Sequence, residues 1–132
     1  MTEHVGIVGI GTDIVAVRRL AVLVERGGER FLNRWFRPGE LDDLAQEPAA
    51  RQVAALFAAK EATVKALRAP AGGPVAWRDI EVTPGPEITL HGRLQTLATD
   101  RGVDVLRVSM AHSPDHAMAT VLALASRGQA SL

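Results

Sequence analysis

Hydrophobic and polar positions along this chain fall into stretches of two different periodicities. From Val5 to Val15 the run V-G-I-V-G-I-G-T-D-I-V is β-branched and punctuated by glycine, which predicts a buried strand. Alternation places Val8, Ile10, Thr12 and Ile14 on one side and Gly9, Gly11 and Asp13 on the other. The glycine side is nearly bare, so Asp13 is expected beside space that a ligand or another backbone fills. A helix is predicted from Ala16 to Glu25, closed by Gly27 and Gly28, then a short helical segment from Arg30 to Phe36 broken at Pro38-Gly39. Glu40 to Gln46 reads as a further turn or two. The longest pattern runs from about Ala49 to Arg68 without Gly or Pro and stops at Pro70-Ala-Gly-Gly-Pro74.

The second half is strand-rich. Asp79–Thr83 and Glu87–Leu90 flank Pro84-Gly85-Pro86, a hairpin-like turn. Arg93–Arg101 suits a helix closed by Gly102, and Val105–Ala111 and Ala117–Leu124 are strands joined by His112-Ser-Pro-Asp-His116. Late strands that follow one another through short turns favour an α+β fold, a mainly antiparallel sheet packed against the long helix. Residues 1–125 are expected to form a single domain, with 126–132 a frayed tail.

Composition adjusts this picture in a few places. A chain of 132 residues builds one real core. Lys+Arg and Asp+Glu balance at 15 each, so global charge does not point to nucleic acid. Locally the balance breaks: Arg18, Arg19, Arg26, Arg30, Arg34 and Arg37 face only Glu25 and Glu29 between Val15 and Arg37. That patch suggests an acidic partner or a polyphosphate, set against the plainer reading of a solvated helix face. The chain has no cysteine, which removes disulfides, thiolate metal sites and a Cys nucleophile. No apolar run approaches membrane-spanning length and no signal segment is present, so a soluble cytoplasmic protein without membrane contact is expected.

Candidate chemistry concentrates on the first strand and the long helix. Glu61 and Lys65 are four residues apart on one helical face, with Phe57 one turn earlier and Arg68 returning to it seven positions on. Alone, the Glu–Lys pair reads as an exposed bridge worth roughly 0.2–0.5 kcal/mol. Asp13 and Glu61 together supply two hard carboxylate ligands of the kind Mg²⁺ prefers, leaving positions for water and substrate phosphates. Gly9-x-Gly11 is no dinucleotide fingerprint, since Ile14 occupies the third small position, and no P-loop follows. His112 ends a strand and shares a face with Val108 and Met110; a structural role and a ligand-binding role are both open. Ser109, His112, Ser113, Asp115 and His116 contain triad residue types, but there is no nucleophile elbow.

Taken in order, G-I-G-T-D-I-V at Gly9–Val15, E-R-F-L-N-R-W-F-x-x-x-E at Glu29–Glu40, F-A-A-K-E-A-T-V-K-A-L at Phe57–Leu67, W-R-D-I-E-V at Trp77–Val82, V-S-M-A-H at Val108–His112 and A-M-A-T-V at Ala117–Val121 form a combined signature. The chain resembles the holo-acyl-carrier-protein synthases, the small 4'-phosphopantetheinyl transferases, over nearly its whole length. The resemblance implies transfer of the phosphopantetheine arm of coenzyme A to a serine of an acyl carrier protein. It further implies Mg²⁺ on Asp13 and Glu61, phosphate contact by Lys65, and Glu61 as a candidate acceptor of the serine proton. Ser109 and His112 would lie in the coenzyme A site, and Arg18, Arg19, Arg26 and Arg30 would meet the acidic carrier. A homotrimer with active sites between subunits is implied, which would give the glycine face of the first strand a neighbour. Three positions depart from the family pattern: Leu56 where Arg is common, Arg68 where Gly is common, and Ala111 where Ser or Thr precedes the His. Arg68 is expected to replace the charge lost at Leu56. A non-catalytic coenzyme A- or carrier-binding module is the alternative reading.

Overall fold

Small residues decide how the layers of this protein meet. In the computed structural model, which describes residues 4–42, 50–70 and 73–127, strand β1 (His4–Ala16) runs antiparallel to β5 (His116–Arg127), and β5 to β4 (Val105–His112). The register carries Gly11 opposite Val121 and Asp13 opposite Ala119, so one face of this three-stranded sheet is built from Gly9, Gly11, Ala117, Ala119 and Ala123. Helix α3 (Ala50–Ala66) lies against that face with its own alanines, Ala54, Ala55, Ala58, Ala59, Ala62 and Ala66, all buried. A Cβ on Gly9 would collide with the carbonyl of Ala66, and one on Gly11 with that of Ala62. Glycine is therefore required for the helix backbone to approach this closely.

The bare strand face thus has α3 of the same chain as its neighbour, and the expectation that another subunit fills it is corrected. The apolar side chains that lack cover lie on the opposite face: Ile7, Ile10 and Ile14 are 64–69% exposed, beside Met118.

Helix α1 (Val17–Trp35) runs through both predicted helical segments, which meet at a non-helical Gly28 with φ 52°. A short helix α2 (Pro38–Asp42) follows; the rest of the turn expected to Gln46 lies outside the described residues. A 3-10 turn (Trp77–Asp79) leads into the hairpin of β2 (Ile80–Thr83) and β3 (Glu87–Leu90), and helix α4 (Gly92–Asp100) precedes β4. The α+β architecture with an antiparallel sheet is as expected. Two boundaries differ. Strand β5 continues through Ser126 and Arg127, pairing with Val5 and His4, because β1 extends far enough to partner them; the expected tail beyond Arg127 is outside the described residues. Helix α3 ends at Ala66, and Arg68 takes a left-handed φ of 54° while Ala69 N–H closes onto the Val64 carbonyl. This is a C-terminal cap of the glycine type, formed here on an arginine.

Candidate active site

Asp13 stands on the helix-facing side of β1, opposite the C-terminal half of α3. Lys65 reaches across from that helix, and its Nζ donates to Asp13 Oδ1 at 3.0 Å and to the Thr12 carbonyl at 3.0 Å. The ion partner of Lys65 is therefore Asp13 on the strand, in place of the i,i+4 bridge to Glu61. The second carboxylate oxygen, Asp13 Oδ2, is buried without any hydrogen-bond partner. A buried unpaired carboxylate oxygen is costly, so its surroundings call for a proton or a cation.

Glu61 is the neighbouring acid. Burial pushes its carboxyl above the ordinary range, the Asp13 carboxylate pushes it further, and the charges of Arg19 and Lys65 pull it back. Two carboxylates placed this close disfavour a second negative charge. Hard oxygen donors, an orphaned buried oxygen and a raised pKa together fit a small divalent cation held by Asp13 and Glu61. Among the described residues no third acidic or imidazole side chain joins the pair, so other positions around a cation would belong to water or substrate oxygens.

Next to this acid pair, α1 and α3 enclose a cavity of ≈ 450 Å³ with an aromatic floor and a basic rim. Trp35 is sandwiched between Phe57, 3.9 Å away, and Trp77, 4.0 Å away and tilted by only 12°. Arg19, Arg30 and Arg34 line the rim, and the Arg19 guanidinium lies 5.9 Å from the Phe57 ring centre. Arg18 and Arg26 are exposed on the same helix but outside the lining.

The remaining expected residues are more scattered. His112 is exposed and lines a cavity of ≈ 230 Å³ with Ile14, Ser113 and His116. The β4 alternation puts Ser109 on the opposite, outward face, in one row with Thr12 and Thr120, so the chain does not bring Ser109 and His112 together. Arg68 leaves the Glu61–Lys65 face because the helix has already ended. Leu56 lines an apolar cleft of ≈ 390 Å³ beneath the β2–β3 turn, with Val82, Pro84 and Met110. Ala111 is exposed on the outward face of β4.

Sequence reasoning missed Lys60. Its side chain is 0% exposed, and it donates to Glu40 Oε1 at 2.8 Å, the Trp35 carbonyl at 2.7 Å and the Trp77 carbonyl at 3.1 Å. The available signal was that the side of α3 carrying Lys60 is otherwise apolar, with Val53, Leu56, Phe57 and Val64 at helical spacing around it. A charge inside such a helix has to be paired.

An acid pair at the junction of a strand and a central helix, with Arg19 of the basic cleft acting on Glu61, has the donor chemistry that suits a divalent cation. Residues 9–121 match the family model of the 4'-phosphopantetheinyl transferase superfamily, and the chain belongs to that family. It is 41% identical to a holo-[acyl-carrier-protein] synthase of Verminephrobacter eiseniae over 86% of this chain and 90% of that one. The fold superposes on holo-[acyl-carrier-protein] synthase from Neisseria meningitidis with a TM-score of 0.77 at 33% identity, covering 89% of this chain and 98% of that one. The Helicobacter pylori enzyme, solved in complex with coenzyme A, gives a TM-score of 0.70 at 30% identity, covering 89% and 99%.

Proposed function

We propose that the protein is a holo-acyl-carrier-protein synthase. It transfers the 4'-phosphopantetheine arm of coenzyme A to a serine hydroxyl of an apo acyl carrier protein and releases 3',5'-ADP. The observation that carries this reading is the buried, unpartnered Asp13 Oδ2 beside a Glu61 whose pKa is raised. Mg²⁺ bound there would neutralise pyrophosphate charge as it shifts toward the leaving group. Asp13 and Glu61 would hold it. The serine oxygen bonds to the phosphorus that bears the pantetheine arm, and the bond from that phosphorus to the 3',5'-ADP oxygen breaks. The hydroxyl proton goes to Glu61, the carboxylate beside Asp13 and the candidate general base. Lys65, 54% exposed and bonded to Asp13 and the Thr12 carbonyl, would offer its ammonium to the departing phosphate.

The partners follow from the surfaces. Arg18, Arg19, Arg26 and Arg30 on exposed α1 offer a basic surface for the acidic carrier, which predicts salt-sensitive docking. The uncovered Ile7, Ile10, Ile14 and Met118 support a homotrimer in which this face is the interface. Ser109 lies on that outward face and His112 at its edge, so a coenzyme A site containing both would be assembled between subunits. One transferase domain accounts for residues 1–125. No helix among the described residues is long and apolar enough to cross a membrane, in keeping with a cytoplasmic setting.

The test is to incubate the protein with coenzyme A, Mg²⁺ and several apo carriers and weigh the carriers. A phosphopantetheine mass gain is expected. Unmodified carriers, in a reaction where a known transferase modifies the same samples, would favour the non-catalytic binding module.

A further inference from the structure

The buried Lys60–Glu40 pair has no part in the chemistry above, and every polar atom of it is used. Lys60 spends its three donors on Glu40 and on two main-chain carbonyls. Glu40 Oε1 also accepts from Arg37 N–H at 2.8 Å, and Oε2 accepts from Val82 N–H at 3.0 Å. The two carbonyls belong to Trp35 and Trp77, whose rings stack against each other in the aromatic cavity. Trp35 is the last residue of α1, where a main-chain carbonyl lacks an intrahelical partner, and Trp77 is the first of a 3-10 turn, its carbonyl accepting from Ile80 N–H as well as from Lys60. Phe57, which completes the stack, lies on α3 three residues before Lys60, on the same side of the helix. One helix therefore supplies both a ring of the stack and the ammonium that sets the separation of the other two.

Stability alone does not call for this arrangement, because apolar side chains of similar volume commonly serve as well as a buried ion pair. A cation bonded to two chosen carbonyls does what an apolar side chain cannot: it fixes where those carbonyls sit. We infer that Lys60 is a positioning residue for the carrier protein, with Glu40 as its buried counter-ion. It acts through Trp35 and Trp77 to hold open the aromatic, arginine-rimmed cavity beside Glu61. This inference rests on the transferase reading for the identity of the partner.

The tether can be followed without turnover, because the two tryptophans of the chain are the stacked pair and their coupled circular-dichroism signal reports the stack. Lys60→Gln should collapse that signal and raise the KM for apo carrier at least tenfold, with coenzyme A affinity changed less than twofold. Glu40→Gln removes the counter-ion but leaves Lys60, even as a neutral amine, two donors for the two carbonyls. It should lower stability yet keep the tryptophan signal and hold the carrier KM within threefold. Equal KM increases in both variants, following the loss of stability, would overturn the inference. So would a lowered Mg²⁺ or coenzyme A affinity in Lys60→Gln with carrier KM unchanged. If Lys60→Gln does not fold, Trp35→Leu must give the same tenfold rise in carrier KM with coenzyme A affinity retained; an unchanged KM rejects the proposal. Absence of carrier modification by the unmutated protein would instead count against the transferase reading, while the tryptophan signals would still test the tether.

Discussion

Helix α3 carries two lysines five residues apart, and their ion pairs have opposite characters. Lys60 and Glu40 are sealed from water, with every donor and acceptor engaged. Lys65 and Asp13 sit at the surface, one partner 54% exposed, and leave a carboxylate oxygen unsatisfied. The first arrangement is finished; the second is incomplete and ready to accept a charge. The difference teaches where to look for chemistry in this fold. The saturated knot has nothing left to bind with, and the unsatisfied acid pair on the same helix is where the proposed binding and reaction would take place.

Substitutions at the open pair should give the largest functional effect. Asp13→Asn or Glu61→Ala is expected to lower carrier modification by ~10²–10³-fold, of the order seen when a group stabilising transition-state charge is removed. Circular dichroism should remain that of the folded protein, and retention of more than a tenth of the activity would remove that acid from the mechanism.

Stability should respond the other way round. Lys60→Ala leaves a buried carboxylate uncompensated and should cost about 3–5 kcal/mol in urea unfolding. Lys65→Ala, which removes an exposed partner, should cost less than about 1 kcal/mol while impairing activity. Equal losses at the two lysines would erase the contrast.

The pH dependence sharpens it further. Glu61 has a raised pKa in the folded chain, so at high pH the native state carries an anion that burial and Asp13 disfavour. Below the unfolded pKa both states are protonated and there is no penalty. Stability of EDTA-treated protein should therefore fall as pH rises from the ordinary Glu value through the folded pKa, then level off. Glu61→Gln should flatten that fall and raise the melting temperature of metal-free protein at neutral pH. A melting curve in which the variant keeps the full pH dependence assigns the effect elsewhere.

The smallest effect is at the helix end. Arg68→Gly relieves a left-handed arginine and should stabilise by about 0.5–1 kcal/mol, the relief being partly offset by glycine's larger unfolded entropy. If coenzyme A affinity falls at the same time, Arg68 also supplies the charge that Leu56 lacks.

Much of this was readable from residues. The β-branched, glycine-marked run of β1, the uninterrupted α3 and the turn signals around Pro84 and His112 reflect local preferences, so their positions needed little tertiary information. Asp13 and Glu61 stood out as a pair of hard ligands. What escaped depends on which elements meet. The i,i+4 spacing of Glu61 and Lys65 is satisfied by any helix, and only the approach of β1 turns Lys65 toward Asp13. Gly9 and Gly11 were recognised as a bare face, but a bare face is equally suited to a ligand, a subunit or the chain's own helix; the alanines of α3 decide it. Lys60 was not singled out because its three acceptors come from residues 17–25 positions away along the chain. Arg68 was assigned to the helix face because nothing local marks an arginine as the residue that ends a helix.

The central claim is that the unsatisfied Asp13–Glu61 pair is a divalent-cation site that recruits coenzyme A. The most direct measurement is coenzyme A affinity with and without Mg²⁺, by calorimetry, for the unmutated protein and for Glu61→Gln. The account predicts that Mg²⁺ tightens binding at least tenfold in the former and by less than twofold in the variant. A variant that keeps the full Mg²⁺ gain would place the cation elsewhere and contradict the account.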